Sequence, residues 1–129
     1  MARRPTSGPT DAELEILTVL WDRGPSTVRE VNVAVGELRP TGYTTTLKLM
    51  QIMTEKGLLV RDKSNRTHCY HPASSKEKTQ RQLVKNLLGR AFDGSAAQLV
   101  LRALSTEKAS PEELAKIRGV LDEIEEESR

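Results

Sequence analysis

The sequence predicts a mostly helical chain interrupted once by a β-hairpin, and three observations predict it. Apolar residues recur at three- and four-residue spacing through most of the chain. Helix-start signals stand at Thr10, Thr27 and Ser110. Between them, one stretch from Leu58 to His71 is built as two short strands around turn residues.

The first start signal is Thr10-Asp11-Ala12-Glu13, a capping box in which the hydroxyl and the carboxylate each accept a backbone N–H that the first helical turn leaves unpaired. Leu14, Leu17, Leu20 and Trp21 then form one stripe, and Gly24-Pro25 ends it. Trp21 reads as a packing residue on this core-facing helix. Thr27-Val28-Arg29-Glu30 repeats the box, and Val28, Val31, Val35 and Leu38 follow on one face, with the helix ending before Pro40. After the break Arg39-Pro40-Thr41-Gly42, a third helix is expected from Tyr43 to Lys56, with Leu47, Met50 and Met53 inward and Gly57 at its end. Its other face carries Thr44, Thr45, Lys48 and Gln51, hydrogen-bonding side chains gathered toward the N-terminus, where a recognition helix meets base edges.

Leu58-Leu59-Val60-Arg61-Asp62 and Arg66-Thr67-His68-Cys69-Tyr70-His71 read as strands around a tight turn, Lys63-Ser64-Asn65, in which Asn65 takes the left-handed conformation. Three helices followed by a basic hairpin make a winged helix-turn-helix. Arg61, Lys63 and Arg66 are expected at the hairpin tip, along a phosphate backbone beside the groove that the third helix enters. The expected DNA-binding set is therefore Tyr43, Thr44, Thr45, Lys48, Arg61, Lys63 and Arg66.

From Ser75 the helical pattern returns. Leu83, Leu87, Leu88 and Ala91 form a stripe up to Phe92, Asp93-Gly94-Ser95 makes a turn, and a short helix runs from Ala96 to Leu104. Ser110-Pro111-Glu112-Glu113 places serine at a cap, proline first in the helix and glutamate third. Leu114, Ile117, Leu121 and Ile124 then form a narrow seam suited to a partner helix, so dimerisation is assigned to these residues. The competing arrangement folds these helices back on their own winged helix. Residues 1–9, with Arg3 and Arg4, read as a flexible arm; a minor-groove role for the two arginines competes with simple disorder. The expected division is thus an arm over 1–9, a DNA-binding domain over 10–73 and a helical dimerisation region over 74–129.

Composition agrees. The 129 residues fit one domain, or a small domain with an oligomerisation segment. With 36% hydrophobic and 29% charged residues the core available to a monomer is small, which favours a partner chain. Only Trp21, Tyr43, Tyr70 and Phe92 are aromatic, too few for base stacking along a single strand, so the expected nucleic acid is duplex. The net charge of +2 is unevenly placed: Arg39 to Pro72 holds six basic residues against two acidic ones, whereas the stretch from Pro111 is acidic. No apolar run of signal or membrane-spanning type occurs, so the expected location is the cytoplasm, without membrane insertion. The single cysteine, Cys69, has no thiol partner for a disulfide or a zinc pair.

Catalytic and cofactor chemistry find no support. The glycines form no phosphate-cradling loop. His68, Cys69 and His71 are the nearest approach to a metal cluster, but strand alternation leaves only Cys69 and His71 on one face, short of a structural zinc site. No motif joins serine, histidine and carboxylate. Neither a cofactor nor an enzymatic activity is expected.

From Thr10 to Ile124 the chain resembles the penicillinase-repressor family, the BlaI/MecI/CopY group of bacterial regulators. The resemblance rests on Thr10-Asp11-Ala12-Glu13-Leu14-Glu15-Ile16-Leu17 leading to Leu20-Trp21, on Thr27-Val28-Arg29-Glu30-Val31, on Tyr43-Thr44-Thr45-Thr46, on Glu55-Lys56-Gly57-Leu58-Leu59, and on Arg66 followed by Tyr70 and Pro72. It implies a homodimer that binds a palindromic operator through its winged helices, joins through its C-terminal helices and blocks transcription. It also implies relief by a membrane sensor protease, with the cut near Arg102-Ala103, although those relatives carry Asn-Phe there. The cysteine-rich tail of copper-responsive members has no counterpart in Glu125-Glu126-Glu127-Ser128-Arg129. The Ser64-Asn65 turn replaces a more usual Asp-Gly. The reading from another class is a winged helix serving as a protein-binding adaptor, against which stand the basic middle and the Thr/Lys face of the third helix.

Overall fold

The computed structural model describes residues 8–64 and 66–129. The arm's Arg3 and Arg4 and the expected left-handed Asn65 lie outside the described residues. The elements are α1 (Asp11–Arg23), α2 (Val28–Leu38), α3 (Tyr43–Glu55), β1 (Leu59–Asp62), β2 (Cys69–Pro72), α4 (Lys76–Ala91), α5 (Ala96–Thr106) and α6 (Pro111–Glu127). This is the winged helix-turn-helix with further helices that the sequence predicts. The chain forms two compact units, one reaching to Asn86 and one beginning at Leu87.

In the first unit α1, α2 and α3 close over Ile16, Leu17, Leu20, Val28, Val31, Val35, Met50 and Met53, and the hairpin adds Leu59 and Tyr70. Each such side chain removed from water contributes about 1.5–3 kcal/mol. Three helical stripes differ from expectation. On α3 the buried face is Thr46, Met50 and Met53, with Leu47 only half-buried at the margin. On α1 the buried face is Glu13, Ile16, Leu17 and Leu20, with Leu14 and Trp21 at its margin. On α2 the face stops at Val35, and Leu38 is 71% exposed because it ends the helix past the last core layer, where Arg39 turns into extended backbone.

The burial of a glutamate in α1 has a local cause and a distant one. Glu13 completes the capping box, accepting the Thr10 N–H at 2.9 Å while Thr10 Oγ1 accepts the Glu13 N–H at 3.2 Å. Its carboxylate also accepts both 2.9 Å bonds from Lys56 Nζ, at the C-cap of α3. One side chain thus ties the beginning of α1 to the end of α3. Desolvation pushes the carboxyl upward, but the lysine and the two Thr10 hydrogen bonds together outweigh it and hold the pKa below its ordinary 4.5.

A second polar link sets the helix-turn-helix. Asn32 of α2 donates from Nδ2 to the Thr41 carbonyl and to Thr46 Oγ1, both at 2.9 Å, joining α2, the turn and α3. Thr46 is buried, so its hydroxyl depends on this partner. The hairpin is antiparallel, with Leu59 opposite Pro72 and Asp62 opposite Cys69. In place of the expected tight turn, β1 ends at Asp62 and β2 begins only at Cys69, and the connection opens with the Ser64 N–H donating to Asp62 Oδ1 at 2.9 Å. Ser26, between α1 and α2, pairs with Tyr70 as an extra bridge at the hairpin edge. Trp21 packs at the core margin and donates from Nε1 to the Ser74 carbonyl at 3.2 Å, fixing the approach to α4.

In the second unit Asp93 (φ 50°) and Gly94 (φ 77°) make the turn before α5, which is capped by Ser95 and runs two residues past the expected Leu104. α6 begins as predicted, with Ser110 and Glu113 as a capping box and Pro111 at its start. No residue of α5 or α6 is buried.

Two stability measurements check these links. Replacing Glu13 by Gln removes the charge that Lys56 meets. Because the Lys56 side chain is 39% exposed and can turn to water, the loss at pH 7 is expected to be about 1–2 kcal/mol, below the figure for a fully buried pair. Glu13 has a depressed folded pKa, so its contribution is complete above the ordinary 4.5 and disappears as pH falls through the folded value. Urea melts of wild type and Glu13→Gln should therefore differ at pH 7 and converge in acid. Asn32→Ala leaves the buried Thr46 hydroxyl and the Thr41 carbonyl without their donor and should cost about 1–3 kcal/mol in the same assay.

Candidate nucleic-acid interface

The N-cap of α3 is Gly42, whose missing side chain supplies no acceptor for the first amides of the helix. Tyr43, Thr44 and Thr45 are exposed at this positive end, and Lys48 and Gln51 are exposed further along the same helix. The inward face of the same helix is closed by Thr46, Met50 and Met53, which leaves these residues no role in the core of their own unit. Sequence periodicity is enough to locate this face.

The basic stretch from Arg39 to Pro72 divides into two groups. Arg39 pairs with Glu15 at 3.0 Å and Lys56 with Glu13 at 2.9 Å, so both are engaged within the fold. Among the described residues no carboxylate pairs with Lys48, Lys63 or Arg66. Lys63 and Arg66 stand exposed on the 63–68 loop. Arg61 does not lie at the tip. It sits within β1 opposite Tyr70, on the strand face that also carries the buried Leu59, and is half-buried with Nε lacking a protein partner. The two-residue period of a strand places it there, because Arg61 follows Leu59 by two.

Between the first turn of α2, the start of α3 and the wing lies a cleft of about 510 Å³, bordered by Arg29, Tyr43, Leu47, Arg66 and His68. The Arg29 guanidinium stands over the Tyr43 ring at 5.9 Å from its centre. In the sequence Arg29 stands only within a capping box and within one of the motifs shared with the family. Its signal was available, since it is a cation one residue inside a helix start, but the partner ring lies on another helix.

His68 is exposed, and Cys69 and His71 are half-buried. Among the described residues no three His, Cys, Asp or Glu side chains are grouped to hold a metal ion. No helix of the described chain is long and apolar enough to cross a membrane.

The expected dimerisation residues lie on α6 in the second unit. Leu114 and Ile117 are half-buried, while Leu121 and Ile124 are 52% and 53% exposed. Ile117, Leu121 and Ile124, with Val120, face Val100 and Leu101 of α5 across an open apolar groove of about 700 Å³, whereas Leu114 does not line it. The α5 wall was missed as part of this surface, although Val100, Leu101 and Leu104 repeat at helical spacing. Arg102 and Ala103 are exposed on α5.

Comparison with known proteins bears on these features. The penicillinase repressor family model matches residues 9–123. The transcriptional regulator BlaI of Mycobacterium tuberculosis is 29% identical over 116 residues, covering 89% of this chain and 83% of that protein. The penicillinase repressor of Bacillus licheniformis is 25% identical over 114 residues, covering 88% and 89%. Among solved structures, a MarR family protein from Bacillus stearothermophilus aligns over 97% of this chain and 76% of its own, with a TM-score of 0.50 and 22% identity, a likeness of fold. With a family match that spans both the winged helix and most of α6, this chain belongs to the penicillinase repressor family and is a transcriptional repressor, not an enzyme.

Proposed function

We propose that the repressor binds a palindromic DNA operator as a homodimer, each protomer presenting α3 to the major groove and its wing to the phosphate backbone. The observation that carries this reading is the shared cleft, where the start of α3 and the wing, with Arg66, border one space; among the described residues no carboxylate pairs with Arg66, nor with Lys48 or Lys63. Phosphate contacts by such cations fix register, and Thr44 and Thr45 supply the base-edge contacts. Arg61, from within β1, supports the wing's backbone contact.

Homodimerisation through Leu114, Ile117, Leu121 and Ile124 makes the second half-site contact intramolecular once the first is made, at a spacing of about 34 Å along one face of the duplex. The apolar groove between α5 and α6 supports this role, because apolar side chains left open in one protomer gain from a second copy. The bound dimer excludes transcription from the site in the cytoplasm. Relief by a membrane sensor protease belongs to the same reading: a cut between Arg102 and Ala103 removes α6 and with it the pairing surface.

A titration with duplex at rising salt tests the DNA reading. Wild type should lose affinity steeply, and Lys48→Ala should weaken binding on every sequence and flatten the slope of log affinity against log salt by about one. Thr45→Ala should cost about 1–3 kcal/mol on a duplex selected by the protein and little on a scrambled one. A protein adaptor would show no salt-dependent duplex binding at all. For the dimer, Leu121→Asp places a carboxylate in the apolar seam and should shift sedimentation from dimer toward monomer; an unchanged dimer means that another surface pairs.

A further inference from the structure

We propose that Arg29 and Arg66 together seat one backbone phosphate of the bound duplex in the cleft between α2, α3 and the wing. This rests on the DNA reading above and adds to it a contact made from α2. Arg29 is the second residue of α2, and its guanidinium is held over the Tyr43 ring. The carboxylate beside it in sequence is engaged elsewhere: Glu30 accepts the Thr27 N–H at 2.9 Å and pairs with Arg23 at 3.7 Å. Arg66 reaches the same cleft from the wing, and no carboxylate lines it. Two arginines thus line the cleft, and among the described residues that line it there is no counter-charge. Such a pair is unfavourable until an anion enters.

The chemistry of the pocket selects the anion. A planar guanidinium offers paired N–H donors that match two phosphate oxygens, and a ring beneath it limits its orientations. The adjoining Thr27 and Thr67 supply small polar walls, and Leu47 an apolar one. At about 510 Å³ and open to solvent, the cleft has room for a backbone phosphate. A duplex whose groove receives α3 runs its backbone past the preceding helix, where Arg29 stands.

The test is salt titration of the full-length protein on one generic duplex, with Arg29→Gln, Arg66→Gln and the double variant. One phosphate neutralised by two arginines counts once in counterion release. Each single variant should bind that duplex more weakly, and the double variant should flatten the slope by about 0.9, the value of one phosphate. A slope unchanged in the double variant, or flattened by about twice that amount, overturns the shared seat while leaving the DNA reading intact. A wild-type protein without salt-dependent binding overturns the DNA reading itself. Melting by circular dichroism monitors the fold; should Arg29→Gln melt early, Arg29→Lys replaces it. The lysine variant is expected to lose affinity through the missing planar fork while keeping the wild-type slope, and unchanged affinity in it overturns the seat.

Discussion

The placement of the wing depends on one backbone exchange, between Ser26 and Tyr70. The Tyr70 N–H donates to the Ser26 carbonyl at 2.8 Å, and the Ser26 N–H returns to the Tyr70 carbonyl at 3.1 Å. A two-stranded hairpin alone is marginal in water. Here its outer edge is completed by a residue of the α1–α2 connection, and Tyr70, 3% exposed, enters the core between them. At the other strand, Leu58 donates to the Met53 carbonyl at 2.8 Å and Ala73 to Leu58 at 2.9 Å, so the base of the wing is also tied to the end of α3. The hairpin is thereby joined to the helices on both strands, and the cleft bordered by Arg29, Tyr43 and Arg66 takes its shape from these joints.

Within that frame the charged residues sort by whether a carboxylate faces them. Glu13 and Glu15 on α1 take Lys56 and Arg39, and Glu30 on α2 takes Arg23. The Arg39 and Arg23 pairs are exposed and contribute little stability, whereas in the third pair the Glu13 carboxylate is buried and coupled to a helix cap while Lys56 stays partly in water. Among the described residues no carboxylate pairs with Arg29, Lys48, Lys63 or Arg66, the cations on which the proposed interface draws. A count of basic residues over Arg39 to Pro72 cannot make this division, because it turns on contacts such as the one between Lys56 and Glu13, made 43 positions apart.

The same distinction explains which parts of the fold were legible. Helix starts at Thr10, Thr27 and Ser110 were readable because a capping box is closed by residues three apart, all visible in one window. The exposed face of α3 was readable from periodicity alone. By contrast, the buried Glu13, the Asn32 bridge to Thr46 and the Ser26 pairing each need a partner supplied by tertiary structure, and nothing local marks them. Arg61 is an intermediate case. Its charge suggested the tip, but strand alternation from Leu59 was enough to turn it inward, and the longer 63–68 loop moved the tip away from it. Leu38 shows the opposite error, a correct period carried one turn past the core that gives it meaning.

The second unit poses a different constraint. Its helices α5 and α6 bury no residue fully, yet Val100, Leu101, Val120, Leu121 and Ile124 lie together on their surface. So short a segment cannot enclose a core of its own, and its capped helix starts contribute only about 0.5–2 kcal/mol each. On the proposed reading the missing burial comes from a second copy, which makes ordering of this unit and dimerisation a single equilibrium that depends on protein concentration. The winged helix differs in this respect, since its ten-residue apolar cluster is closed within one chain. Operator affinity and fold of the DNA-binding unit then respond to separate controls: loss of α6 weakens the pairing of two half-sites while the contacts that shape α3 and the wing, from Glu13–Lys56 to Ser26–Tyr70, all remain within the first unit.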